Sequence, residues 1–316
     1  MIAPINKIIP ISAVDGKGAR TVIFLQGCNL KCIYCHNPET QNLCNSCGIC
    51  LSKCQTGALY LDNRQISKEM ATLTPPSRSD ELQESHHKNV RHEFREKSNK
   101  KVESNKKVKW NKSICCNCDS CISVCPRFSS PKVQYMTSSD VYIEIMKNVP
   151  FIRGITVSGG ECTLYCEFLQ ELFYLVKNLG LSSFIDSNGT LDFQLYPNLI
   201  RLCDGVMLDV KAWDRTKYAN LTGFWDNSIV KSNLKYLATV EKLEEIRVVI
   251  VDKYVDGKAI IQEMAKCLGK LTYNTKLKLI AFRKDGVKGI LQNYQSPSET
   301  KMLELKKLAV TLGFIL

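Results

Sequence analysis

The cysteines of this 316-residue chain are the residues whose spacing indicates chemistry. Of 16 cysteines, 12 precede residue 126, grouped as Cys28, Cys32, Cys35; Cys44, Cys47, Cys50, Cys54; and Cys115, Cys116, Cys118, Cys121, Cys125. Met1–Ser12 lacks the basic and apolar segments of a secretory signal, which predicts a cytoplasmic protein with reduced thiols. Closely spaced reduced thiols bind metals or metal–sulfur clusters, so we expect ligation rather than disulfide bonds.

Two of these groups contain the same spacing. Each reads C-x2-C-x2-C-x3-C, once from Cys44 to Cys54 and once from Cys115 to Cys125. In bacterial two-cluster ferredoxins the first three cysteines of such a run bind one 4Fe–4S cluster and the fourth binds the other. We therefore expect two crossed ligand sets: Cys44, Cys47, Cys50 with Cys125, and Cys115, Cys118, Cys121 with Cys54. Two zinc sites are the alternative, although three successive x2 steps are not usual zinc spacing.

The first group, Cys28-x3-Cys32-x2-Cys35, supplies three thiolates and no evident fourth. A 4Fe–4S cube held by three cysteines leaves one iron open to another ligand. The group follows the predicted strand Thr21–Leu25, and in parallel α/β folds chemistry gathers at the carboxyl ends of the strands. Cys44 is an alternative fourth ligand, but it fits its own run better.

The elements that must position these thiols are predicted from apolar periodicity. Strands are expected at Thr21–Leu25, Gly154–Val157, Ser183–Asp186, Val206–Val210, Ile246–Val251 and Leu277–Phe282. Helices are expected near Ser139–Lys147, Glu167–Leu179, Ser228–Val240, Lys258–Cys267 and Glu299–Leu312. This alternation predicts a parallel sheet with right-handed crossovers, either open or curled into part of a barrel.

Residues 66–109 have almost no apolar periodicity and mix both signs of charge, which predicts a flexible insertion. Its histidines, His86, His87 and His92, are expected to be solvated rather than metal ligands. The chain has a net charge of +12, but its densest basic run lies in this insertion without aromatic interleaving, so nucleic-acid binding is not expected. Charged residues interrupt every apolar run, so no membrane span is expected.

The motifs together resemble a known family. CxxxCxxC with Tyr34 before its last cysteine is the signature of radical S-adenosylmethionine enzymes. The blocks DGKGARTVIFLQGCNLKCIYCHNPET, FIRGITVSGGE, DSNG, CDGVMLDVKAW and LTG resemble the YjjW-type glycyl-radical-enzyme activating proteins. The resemblance implies a TIM-like partial (β/α)6 barrel with an inserted ferredoxin-like domain that binds two 4Fe–4S clusters. Residues 1–37 would begin the barrel, 38–133 would form the insert, and 134–316 would complete the barrel.

The resemblance also implies a binding site for S-adenosylmethionine. Gly159, Gly160 and Glu161 would bind the amino group of its methionine moiety, and Tyr34 would belong to the same site. Arg247 would be a basic contact to the cofactor. Taken alone, a Gly-Gly after a strand is usually a turn, and a surface position is the alternative for Arg247.

Two carboxylates and a lysine complete that implied site. Asp209 and Lys211 lie two residues apart, so they share one strand face, and Lys211 would pair with the methionine carboxylate. Asp186 and Asp209 match the ligands of a monovalent cation near the cofactor, with a solvated ion pair as the alternative. Relatives usually carry histidine where this chain has Arg283, so its role stays open.

The resemblance implies an activase. An electron donor such as flavodoxin or ferredoxin would reduce the cluster on the first cysteine group, and reductive cleavage of S-adenosylmethionine would yield methionine and a 5′-deoxyadenosyl radical. That radical would take a hydrogen atom from a glycine of a partner glycyl radical enzyme. The alternatives are a radical enzyme acting on another protein or a small molecule, and a ferredoxin-like electron carrier. Five cysteines have no expected ligand role: Cys116, Cys162, Cys166, Cys203 and Cys267.

Overall fold

A computed structural model describes residues 1–62 and 107–316 of the protein. Most of the predicted flexible insertion, including its three histidines, lies outside the described residues. Residues 107–109, which the periodicity assigned to the same insertion, belong instead to a strand. This strand pairs antiparallel with Leu59–Asp62 and packs Val108 and Trp110 against a small cluster of buried side chains, which accounts for its order.

Every predicted helix and strand is present, with ends shifted by at most three residues. The strands of the described residues are β1 (Ile2–Ser12), β2 (Arg20–Leu25), β3 (Leu59–Asp62), β4 (Lys107–Trp110), β5 (Gln134–Thr137), β6 (Gly154–Gly159), β7 (Ser182–Ser187), β8 (Gly205–Asp209), β9 (Leu243–Ile250) and β10 (Leu277–Ala281). The helices are α1 (Ser120–Ser123), α2 (Ser138–Met146), α3 (Cys166–Lys177), α4 (Pro197–Leu202), α5 (Arg215–Thr222), α6 (Ser228–Thr239), α7 (Gly257–Leu268) and α8 (Glu299–Thr311).

Eight of these strands form one mixed sheet in the order β10-β9-β8-β7-β6-β2-β1-β5. Neighbours from β2 to β10 pair parallel, as expected for six strands of a partial (β/α)6 barrel. Two antiparallel strands, β1 and β5, extend the sheet and were not predicted. Pro4 and Pro10 lie within β1, and proline is unusual inside a paired strand, so the sequence pattern hid this element.

The apolar core has two parts, one on each half of the sheet. Side chains of β6 and β7 pack against α2, α3 and α4, while those of β8, β9 and β10 pack against α5, α6, α7 and α8. The carboxyl ends of the parallel strands are thereby held rigidly side by side. No helix in 1–62 or 107–316 is long and apolar enough to cross a membrane.

Arg20 links β2 to β6 and β7 at the amino-terminal end of the parallel strands, opposite their carboxyl ends. Its side chain is 1% exposed, and its guanidinium donates to Thr156 Oγ1 at 2.9 Å and to the carbonyls of Ile155 and Ser182 at 2.6 and 3.0 Å. It also stacks on the Phe184 ring, 3.8 Å from the centroid. Burial lowers the pKa of Arg20 to about 10. The planar guanidinium satisfies acceptors on two neighbouring strands, β6 and β7, at the same time, which explains an arginine at this buried position.

We predict that Arg20→Lys lowers the free energy of unfolding by about 2–4 kcal/mol, because one ammonium cannot reach all of these acceptors and buried unpaired groups are costly. Denaturant unfolding of the cluster-free protein measures the change. Arg201→Lys is the matched control: this arginine is exposed on α4, and its replacement should alter stability by less than about 0.5 kcal/mol. Equal effects of the two substitutions would contradict the assigned role of Arg20.

Candidate functional site

The loop that follows β2, residues 26–37, carries the CxxxCxxC motif and is called the cysteine loop below. It presents Cys28, Cys32 and Cys35 at the carboxyl end of the parallel strands. The loop is bound to α5, since the N–H groups of Lys31 and Ile33 donate to carbonyls of that helix at 2.7 and 2.9 Å. Its conformation is therefore set by contacts with elements distant in sequence.

The three thiols of the cysteine loop lie in a setting suited to an iron–sulfur cluster. Burial raises the pKa of all three, that of Cys32 to about 11. The sulfur of Cys28 accepts from the N–H of Leu30 at 3.4 Å and from Asn188 Nδ2 at 3.8 Å. Soft thiolates that are buried and supplied with N–H donors are the ligands that iron–sulfur clusters use. The residues present therefore fit a cluster bound by three cysteines.

The two glycines after β6 hold that strand against the cysteine loop. A Cβ at Gly159 would lie 2.1 Å from the carbonyl oxygen of Leu25, and one at Gly160 would lie 2.2 Å from that of Gly27. The backbone N–H of Gly160 donates to Leu25 at 3.0 Å, and that of Glu161 to Gly27 at 2.8 Å. Glycine is required at these two positions because the backbone of β6 closely approaches the backbone of β2 and the cysteine loop. The hydrogen bonds extend the pairing of β2 and β6 into that loop.

We predict that Gly160→Ala costs about 3 kcal/mol of stability and displaces the cysteine loop, because the added methyl would overlap the backbone oxygens of Gly27 and Thr40, 2.2 and 2.7 Å away. After reconstitution the variant should hold about four fewer irons per chain. Gly180→Ala is the control: Gly180 has a φ of 68° but no atom near its Cβ position. It should cost only about 1–2 kcal/mol and no iron, and a full iron content in Gly160→Ala would refute the prediction.

Glu161 connects the ends of β6 and β7. Its side chain is 1% exposed, and both oxygens are engaged. Oε1 accepts from the Thr163 N–H and hydroxyl and from Ser187 Oγ at 2.6–3.1 Å, while Oε2 accepts from the Asn188 N–H at 2.7 Å. Burial raises the pKa of Glu161, opposed by these donors. The carboxylate thus positions Asn188, whose amide reaches Cys28, and the cofactor contact expected of this motif stays a prediction.

Arg247 is buried in an ion-pair network rather than placed on the surface. Its side chain is 11% exposed, with Nη1 3.1 Å from Asp186 Oδ1 and Nε 2.7 Å from Glu245 Oε1. The other oxygen of Asp186 accepts from Ser158 Oγ at 2.8 Å. Burial raises the pKa of Asp186, and Arg247 opposes that effect. The surface alternative for Arg247 is therefore wrong.

Lys211 lies between Asp209 and the aromatic ring of the cysteine motif. Its Nζ is 2.5 Å from Asp209 Oδ2 and 5.8 Å from the ring centroid of Tyr34. Burial lowers the pKa of Lys211, but Asp209, Tyr34 and Cys32 together raise it well above its ordinary value. The Lys211 side chain is 14% exposed and cationic. It forms an ion pair with Asp209, which was the alternative expected for that carboxylate, but the pair is half-buried rather than fully solvated.

The two ferredoxin-type runs meet in two cavities of the insert. One encloses about 320 Å³ of space not filled by atoms, and its walls include Cys54, Cys115, Cys116, Cys118 and Cys121. The other encloses about 330 Å³, and its walls include Cys44, Cys47, Cys50, Cys121 and Cys125. The fourth cysteine of each run thus lies beside the first three of the other, the arrangement of the crossed ligand sets, while Cys121 borders both cavities.

The insert has little apolar core. In 38–62 and 107–133 the buried apolar cluster consists of Cys50, Leu59 and Cys121, two of which are themselves thiols. So few buried side chains stabilise a small domain poorly without a metal centre. Within the described part of the chain, no three His, Cys, Asp or Glu side chains are close enough to share one metal ion, and the thiols instead line the cavity walls.

A third and larger cavity, with about 870 Å³ of space not filled by atoms and partly open to solvent, lies between the cysteine loop and the second run. Its walls include Cys32 and Cys35 on one side and Pro126–Phe128 on the other, with Lys31 and Lys288 at its margin. Pro126–Phe128 directly follow Cys125, the last cysteine of the second run. The cavity therefore lies between the three-thiol site and the insert cavity that Cys125 borders, and Pro126 lines both cavities.

Two other expected features can be placed. His36 Nε2 lies 2.9 Å from the backbone carbonyl of Arg283, whose side chain is exposed, so this position contributes its backbone to the loop. Cys162 and Cys166 are buried, and their thiols donate to backbone carbonyls at 3.3 and 2.9 Å. Both therefore pack as small buried residues of the core.

Two residues beside the thiols, Asn188 and Tyr218, were not singled out from the sequence. Asn188 belongs to the DSNG block, and Tyr218 lies four residues before the Thr222-Gly223 of the LTG block. Both blocks carried the family resemblance, so the signal was present. The sequence did not show that these two side chains face the cysteine loop, because α5 and the end of β7 reach it only through the fold.

Comparisons with known proteins show which proteins this chain is similar to. Residues 14–103 match a family model described as a 4Fe-4S single cluster domain. The chain is 26% identical, over 96% of its length and 92% of the relative, to a Haemophilus influenzae protein named for activation of glycyl-radical enzymes. It is 25% identical to the indoleacetate decarboxylase activating enzyme of Tractidigestivibacter scatoligenes, over 98% and 95% of the two chains. A solved domain of a pyruvate-formate lyase-activating enzyme from Bacteroides vulgatus superposes with a TM-score of 0.42 at 18% identity, over 51% of this chain and 95% of that domain.

Proposed function

We propose that this chain, a homologue of the glycyl-radical-enzyme activating enzymes, is a radical S-adenosylmethionine activase. The observation that carries the proposal is a loop with three half-buried thiols, held at the carboxyl end of six parallel strands beside a cationic lysine. When bound, a reduced 4Fe–4S cluster and S-adenosylmethionine supply methionine and a 5′-deoxyadenosyl radical, which takes a hydrogen atom from the α-carbon of a partner's glycine.

The residues of this chain hold and orient those groups. Cys28, Cys32 and Cys35 would bind the cluster through their thiolates. Lys211, cationic and facing Tyr34, would pair with the methionine carboxylate. No side-chain acid or base is required for hydrogen-atom transfer, so the role of the protein is to bind, orient and exclude water.

The glycine motif and Arg247 would complete the cofactor site. Backbone groups of Gly159, Gly160 and Glu161 lie beside the cysteine loop, within reach of a ligand bound there. A monovalent cation at Asp186 and Asp209 remains part of the proposal. In this structure Asp186 is paired with Arg247 and Asp209 with Lys211, so the cation would share these carboxylates with the two basic side chains.

We also propose two auxiliary 4Fe–4S clusters with the crossed ligand sets, within the domain division 1–37, 38–133 and 134–316. The cavities of the insert support this proposal, because each contains thiols of both runs. An electron donor such as flavodoxin or ferredoxin would deliver the electron through them. The need for reduced thiols supports a cytoplasmic location.

The test uses anaerobically reconstituted protein, a one-electron reductant, S-adenosylmethionine and a glycyl radical enzyme from the same genome. We expect 5′-deoxyadenosine in the product mixture and a glycyl radical in the partner by EPR. Cleavage without a partner radical would favour another substrate, and no cleavage at all would favour a ferredoxin-like carrier. Either result would overturn the proposal.

A further inference from the structure

Tyr218 carries a buried hydroxyl that has no hydrogen-bond partner. The residue is 0% exposed, and its hydroxyl is one of four buried side-chain polar atoms without a partner among the described residues. Leaving such a group unpaired destabilises the folded state. A phenylalanine would fill the same space without that cost, so the hydroxyl points to a partner outside the polypeptide.

The position of Tyr218 indicates where that partner lies. It is in the middle of α5, the helix whose carbonyls accept the N–H groups of Lys31 and Ile33 in the cysteine loop. The groups that act electrostatically on its hydroxyl are, in decreasing order, those of Cys32, Lys211, Glu161 and Cys28. Tyr218 therefore lies on the helix that is bonded to the three-thiol site.

None of these neighbours accepts a hydrogen bond from Tyr218 within the described residues, and most of them already have other partners. An ammonium such as that of Lys211 only donates. Both oxygens of Glu161 are already engaged by four donors, and the sulfur of Cys28 already accepts from Leu30 and from an amide. Cys32 lies between Lys31 and Ile33, the two residues bonded to α5, so its sulfur is the acceptor that the backbone geometry favours. Burial raises the pKa of Tyr218, so its hydroxyl keeps the proton it would donate.

We propose that Tyr218 is a positioning residue whose hydroxyl donates a hydrogen bond to sulfur at the Cys32 corner of the cluster. This inference rests on the proposed cluster at the cysteine loop. Hydrogen bonds to the sulfurs stabilise the more negatively charged, reduced cluster and raise its reduction potential. Tyr218 would thereby ease the electron transfer that precedes radical formation.

Tyr218→Phe tests the proposal by two measurements that require neither S-adenosylmethionine nor the partner. In cluster-free protein, the free energy of unfolding should equal or exceed that of the wild type, because an unpaired hydroxyl has been removed. In reconstituted protein with full iron, the midpoint potential from an EPR redox titration should become more negative. The relevant signal is the one that Cys32→Ala lacks.

Tyr294→Phe is the matched control. The Tyr294 hydroxyl donates to the Asp252 carbonyl at 2.8 Å, so its loss should destabilise the cluster-free protein and leave the potential unchanged. An unchanged potential in Tyr218→Phe, or a destabilised cluster-free protein, would overturn the inference. Neither measurement depends on cleavage of S-adenosylmethionine, so failure here is distinguishable from failure of the activase proposal.

Discussion

Replacing Cys28, Cys32 and Cys35 together with alanine should remove about four of about twelve irons per chain and abolish cleavage of S-adenosylmethionine. The expectation follows from the site, because these three thiols are the ligands that the cysteine loop offers at the carboxyl ends of the strands. With no thiolate left, the loop cannot hold a cluster, and the cofactor has no iron to bind. Iron and sulfide assays on anaerobic protein and chromatographic measurement of 5′-deoxyadenosine check the two outcomes.

The barrel itself should survive that change. The cysteine loop is held by backbone hydrogen bonds to α5, which the substitutions leave in place. Cys267→Ala is the control, since that thiol lies on α7, outside the cysteine loop and the insert, and has no expected ligand role. It should keep full iron and full cleavage activity. Retained cleavage in the triple variant would show that the reactive cluster lies elsewhere.

The second large effect concerns the crossed ligand sets, which pairs of substitutions can resolve. Cys54→Ala with Cys118→Ala should lose one cluster, leaving about eight irons per chain. Cys54→Ala with Cys47→Ala should lose both auxiliary clusters, leaving about four. The reason is that Cys54 borders the cavity of the second run, together with Cys118, whereas Cys47 borders the other cavity.

Uncrossed ligand sets instead predict about eight irons in Cys54→Ala with Cys47→Ala, so the pair of substitutions that leaves about eight irons decides between the two arrangements. Cys116→Ala is the control, because this exposed thiol borders the same cavity without an expected ligand role. It should keep about twelve irons. Two auxiliary zinc sites would instead leave about four irons in the wild type, with zinc present, and would end the cluster proposal for the insert.

The barrel was largely predictable because its signals are local. Buried runs such as Gly154–Val157 and amphipathic stretches such as Glu167–Leu179 have periodicities that depend only on neighbours in sequence. The strand β1 escaped because its prolines contradict the strand pattern, while its pairing with β2 and β5 is a property of the sheet. The strand at the end of the insertion, β4, was not predicted for a similar reason, because it is formed by pairing with β3.

By itself the sequence determined the chemistry of this protein. Cysteine spacing is read along one loop, and thiolates at CxxxCxxC and ferredoxin spacings predict iron–sulfur ligation wherever the loop lies. Only the tertiary structure decided which other side chains surround those thiols. Glu161 fixes Asn188 against Cys28, and α5 is bonded to the residues on both sides of Cys32, through elements from separate strands and helices. Such contacts arise because parallel strands bring their carboxyl ends together, and no local pattern along the chain encodes that proximity.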